Sequence, residues 1–203
     1  MKNNKGYTLI EAIIVIAIMA ILAGMAFVTL NVVHQAKYNA AINTFENELS
    51  SLWIKTKALS QGKKLDNAKD VDELIGTGEA GKYPLCMLIA KTSDGSYEMK
   101  LGYDDGTSDF KTKEVVSTLT NLISIRYVPS KDDVDQQVHD NLTLDESGAT
   151  IGANGAEIKQ VLIQFNKSNG SVECGAGSYE ILFNDNVVGT VYLDRITGNH
   201  YVK

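Results

Sequence analysis

The stretch that decides the fold is Lys5 to Phe27, KGYTLIEAIIVIAIMAILAGMAF. From Ala12 to Leu30 Thr29 is the only polar side chain, and Gly24 the only residue that weakens a helix. An apolar run of this length crosses a bilayer as a helix of roughly 20 residues. A cleaved secretory signal ends its apolar region in a small-x-small site. Here the polar leader MKNNKG comes before the apolar run instead. Glu11 is the second peculiarity, because an acid inside a spanning segment costs about 3 kcal/mol on insertion scales and marks a functional site whose partner has to be named.

Outward from this stretch, the cations set an orientation. Lys2 and Lys5 precede the span and the next cation is Lys37. The positive-inside rule then puts the leader in the cytoplasm and everything after about residue 33 outside. The helical pattern does not stop at the membrane. Tyr38, Ala41, Ile42, Phe45, Leu49, Leu52, Trp53 and Leu59 recur at steps of three and four, giving one apolar face up to about Ser60, with Gly62 as the stop. Trp53 lies on this stripe and is read as core. A single helix from Tyr7 to Ser60 would measure about 80 Å.

The N-terminal residues resemble the class III signal of type IV pilins and type II secretion pseudopilins. The resemblance implies that a membrane prepilin peptidase cuts after Gly6 and methylates the new terminus at Tyr7. That family usually has phenylalanine where this chain has Tyr7. Glu11 stands where the family has its glutamate, and the physics agrees: a carboxylate in lipid can neutralise the terminal amine of a neighbouring subunit. The alternative is that Glu11 snorkels to the headgroups as a bystander. Many pilins carry a proline where this chain has Val28, so no kink is expected there.

With 203 residues, 44% of them hydrophobic, the chain has room for one membrane helix and a soluble domain of roughly 140 residues. The expected fold class is α+β, a long N-terminal helix packed on an antiparallel β-sheet. The expected division is a leader at 1–6, the long helix at 7–61 with about 8–30 in the membrane, and an extracytoplasmic β-rich domain at 62–203. Formal charge is −6, and loss of Lys2 and Lys5 leaves 17 basic against 25 acidic residues, or −8. No basic stripe marks a nucleic-acid surface.

After the helix, residues 62–81 turn polar and glycine-rich, with a short helical suggestion at Val71 to Ile75. Strands are expected at 84–91 and 97–103 around the hairpin turn Ser93-Asp94-Gly95, then at 115–116 and 122–128, closed by Pro129. A long polar excursion covers 130–155. Strands return at 157–165, 179–183 and 188–193, with turns at Asn169-Gly170, 184–186 and Gly198-Asn199, and a last strand at Tyr201. This closing order resembles the end of H-type (FimT-like) minor pseudopilins, with Gly170 and Gly198 at its two turns.

Cys86 and Cys174 face an oxidising space in this orientation, where they either form a disulfide or stay as separate buried thiols. No metal-ligand spacing joins His34, His139 or His200 to a cysteine, and no nucleophile elbow or phosphate loop occurs. Asp104, Asp105 and Asp109, and Asp132, Asp133 and Asp135, match no EF-hand spacing and read as solvated loops. The sequons at Asn141, Asn166 and Asn169 carry no modification argument. The expectation is a non-enzymatic subunit with no cofactor. Its partners, by resemblance, are the prepilin peptidase, sibling pilins or pseudopilins, an inner-membrane platform with its ATPase, and membrane lipid before assembly. The rivals are a competence-pilus subunit that touches DNA, against which the acidic composition argues, and a single-span anchored binding module.

Overall fold

The computed structural model describes residues 9–60, 84–104, 110–131 and 142–203. The expected stop at Gly62, the helical suggestion at Val71 to Ile75, His139 and most of the acidic loop residues lie outside these. One helix, α1 (Leu9–Ser60), precedes ten strands among the described residues. These are β1 (Cys86–Lys91), β2 (Tyr97–Asp104), β3 (Phe110–Leu119), β4 (Ser124–Pro129), β5 (Leu144–Asp145), β6 (Ala156–Phe165), β7 (Val172–Cys174), β8 (Gly177–Phe183), β9 (Asn186–Leu193) and β10 (His200–Val202). The chain divides into two compact units, one ending at Asn39 and one from Ala40 to Lys203.

Within the second unit the sheet runs β10-β9-β8-β4-β6-β1-β2-β3, with β5 and β7 also paired to β6, and the pairings are antiparallel. The helix packs on one face of this curled sheet in an α+β, pilin-like arrangement. Ala41, Ile42, Phe45, Leu49, Leu52 and Leu59 are buried, as the three-four spacing requires. Phe45 meets Tyr179 at 5.0 Å between ring centroids, and Tyr179 stacks on Tyr127 at 4.8 Å. Gly189 on β9 makes room for the helix, since a Cβ there would lie 2.4 Å from Ile42 Cδ1. Polar bonds pin the helix to both sheet edges. Ser117 on β3 donates to Glu48 at 2.7 Å, and Ser50 bonds His200 on β10 at 2.8 Å.

The curl shows in Tyr97. Its hydroxyl on β2 accepts the Ile125 amide of β4 at 3.3 Å and donates to the Ile158 carbonyl of β6 at 3.5 Å. Burial pushes this phenol up to about 12.

Three strand expectations need correction. Residues 115–116 belong to a ten-residue strand, β3, whose half-exposed, lysine-rich sequence gives little periodic signal. The polar excursion holds β5 and the buried Leu142 and Ile151. The three-residue β7 was not expected at all. The turn at 184–186 is as expected, with Asn184 and Asp185 in the left-handed region at φ 49° and 62°, which suits a two-residue hairpin.

Candidate functional site

The first unit is where sequence places the function. Gly6 and Tyr7 lie outside the described residues. Glu11 falls in the first turn of α1, followed by 22 residues, Ala12 to Val33, without a charged side chain. Apolar side chains are exposed all around the helix, among them Ile13, Ile14, Met19, Leu22 and Phe27. A helix apolar on every side belongs in a large core or in lipid. None of the residues in the most apolar window of α1 is buried within this chain, and by length and composition the helix can cross a membrane. Thr29 is accommodated by donating its hydroxyl to the Met25 carbonyl at 2.9 Å, so this side chain adds no unmet donor to the run.

At the far end of α1 the two turns singled out in the sequence come together on the tryptophan. Gly170 at φ +82° and Gly198 at φ +68° both lie against Trp53, and a Cβ on Gly198 would sit 2.0 Å from the Gly170 carbonyl oxygen. Lys57 reaches over to donate to the Ser168 carbonyl at 2.9 Å. Trp53 is therefore partly buried packing, a seat for two turns. Asn166 and Asn169 shape the first of these turns, accepting backbone amides of Ser168 and Ser171 at 2.8 and 2.9 Å.

The cysteines meet one residue from opposite sides. Cys86 on β1 and Cys174 on β7 are both in register with Gln164 of β6, and both are buried beside Leu88, Leu142 and Leu162 on the sheet face away from the helix. Two strand spacings put their Cα atoms about 10 Å apart, beyond the roughly 7 Å a disulfide spans. A bridge would require β6 to leave the ladder between them. Cys86 donates instead to Gln164 Oε1 at 3.4 Å, and Gln164 in turn bonds Glu173.

The other charged groups read as scaffolding. Lys91 bonds Glu146 and, at 3.1 Å, Glu157, tying the segment after β5 to the sheet. Burial pulls its ammonium pKa down, but the two carboxylates outweigh that and leave it raised. Asp94 is held at about 2 by hydrogen bonds from Thr92 and Ser96 in its turn. Asp145 and Asp194 are lowered likewise by bonds from Ser147 and Thr197. Among the described residues no cluster of three or more His, Cys, Asp or Glu side chains could hold a metal ion.

Residues 1–27 match the prokaryotic N-terminal methylation motif. That match supports a type IV prepilin-like protein, a class of structural subunits anchored by an N-terminal apolar helix. No solved structure matches the chain.

Proposed function

We propose that the chain is a minor pilin or H-type pseudopilin, a structural subunit of a type IV pilus or type II secretion pseudopilus. Prepilin peptidase removes residues 1–6, cutting after Gly6, and methylates Tyr7. Residues from about 8 to 30 wait in the membrane and then stack in a filament core, while 62–203 stand outside the cytoplasmic membrane. Glu11 neutralises the terminal amine of a neighbouring subunit during that transfer, in a medium where either charge alone is costly.

The observation that carries this reading is the methylation motif running directly into a helix apolar on every side. Such a surface needs lipid or sibling helices around it. The H-type assignment rests on the closing strands and on the Gly170 and Gly198 turns, which meet on Trp53 as parts of one structural unit. The test is the intact mass and N-terminal sequence of the chain expressed with its prepilin peptidase. A chain starting at N-methylated Tyr7 is expected. One still starting at Met1 beside an active peptidase overturns the proposal.

A further inference from the structure

The outer face of the sheet, opposite the helix, carries one in-register row across four strands: Val128 on β4, Ser178 on β8, Tyr192 on β9 and Tyr201 on β10. The two tyrosines stack at 5.0 Å with 14° between their planes, the ring spacing following the spacing of the strands. Ser178 interrupts this stack. With no ring on β8, the second face of Tyr192 looks across a gap to Val128, two strand spacings or about 10 Å away. A cavity of about 350 Å³ opens there. Ser178 lines its floor, Pro129 and Ser130 continue the Val128 wall, and Arg195 and Ile196 close the end.

We propose that this slot binds one pyranose unit of an uncharged polysaccharide. After allowance for the Tyr192 ring and the Val128 side chain, the gap accepts one ring in the place left by Ser178, continuing the tyrosine stack. The polar groups distinguish a sugar from an aromatic side chain. Ser178 is at the floor, and the Ser130 hydroxyl is buried in the wall with no hydrogen-bond partner. A phenyl ring would cover the Ser178 hydroxyl and offer nothing to Ser130, whose hydroxyl is already out of water. A pyranose presents a C–H face to Tyr192 and hydroxyls around its rim to Ser178, Ser130 and Arg195, the mixed lining expected of a small-ligand site. Ile196 is 79% exposed and adds an apolar group to the lining. The acidic chain, at −6, disfavours polyanionic glycans and nucleic acid as occupants.

The experiment is saturation-transfer NMR on the full chain in amine-oxide micelles, which contain no sugar, with maltotriose and triacetylchitotriose as probes. Transfer to ring C–H protons of at least one probe is expected, weakened tenfold or more in Tyr192→Ala. The sharper variant is Ser178→Tyr, which fills the slot with a third ring and should keep the fold, as checked by circular dichroism, while abolishing the transfer. Binding of neither probe at millimolar concentration overturns the proposal, as does binding indifferent to Ser178→Tyr. Capture of a tyrosine-containing tripeptide but of neither sugar would reassign the slot to a protein ligand and overturn it equally.

Discussion

The two stretches of α1, residues 9–33 and 41–59, are both regular helix and both rich in apolar side chains, yet they follow different rules. In the second, burial is confined to a stripe, with Phe45 and Leu49 fully buried and Asn43, Asn47 and Ile54 exposed on the other side. In the first, apolar side chains occupy every direction and are exposed, from Leu9 at 81% to Phe27 at 68%. Helix propensity does not distinguish the two. What does is angular distribution: a stripe matches a single partner surface such as the sheet, whereas a helix apolar all round requires an apolar surrounding. The first stretch therefore serves the helix's environment and the second serves the fold.

The largest effect that can break this comparison is on assembly. Glu11→Ala is expected to leave cleavage at Gly6 intact and the melting of the domain unchanged, while incorporation into a filament is lost. Filament yield and N-terminal sequencing of the same preparation check it, and normal assembly would mean that Glu11 is a bystander. Next in size is Phe45→Ala in the second stretch, expected to cost about 3–5 kcal/mol through the cavity it leaves against Tyr179. For a domain of this size that lowers the melting temperature by roughly 10 °C. The matching change Ile14→Ala, 53% exposed, should leave the melting temperature alone. If both substitutions shifted it equally, the division of the helix into two functions would fail.

A smaller effect concerns the seat of Trp53. Gly198→Ala puts a methyl group where the Gly170 carbonyl stands and forces a side chain into the left-handed region. The expected cost is about 1–3 kcal/mol, read by urea unfolding. Trp53 fluorescence should shift in the same variant, because the indole touches both glycines. A variant as stable as the parent would show that the two turns can part without consequence.

How legible these regions were follows from how local their causes are. The stripe from Tyr38 to Leu59 is a property of adjacent turns, so it could be read directly. The hairpins β1–β2 and β8–β9 were readable because Ser93-Asp94-Gly95 and the stretch 184–186 announce their turns. β3 was seen only at residues 115–116 because FKTKEVVSTL owes its strand state to pairing with β2 rather than to its own pattern. β7 holds three residues and exists through its partner β6. On the functional side, Gly6, Tyr7 and Glu11 were named from a contiguous motif. The slot over Ser178 could not be, because its row is gathered from residues 128, 178, 192 and 201 by register alone.

The smallest expected effect separates the stretches by pH. The lowered carboxyls of Asp94, Asp145 and Asp194 all sit in turns of the second unit. Each is depressed in the folded chain, so the stabilisation is present above the unfolded carboxyl range near 4 and is lost as pH falls through the folded values, which for Asp94 is about 2. Melting should therefore be flat from pH 7 to about 5 and decline between about 4 and 2. Asp94→Asn keeps an acceptor for Ser96 but removes the charge that strengthens these bonds, so it should lower the neutral-pH plateau slightly and make the acid decline shallower. The effect is modest because these turns are exposed and solvent screens them. In detergent, the helical circular dichroism of residues 12–33 should not follow this decline, because from Ala12 to Val33 the helix carries no charged side chain to titrate. If that signal fell in step with the domain, the two stretches of α1 would be one cooperative unit.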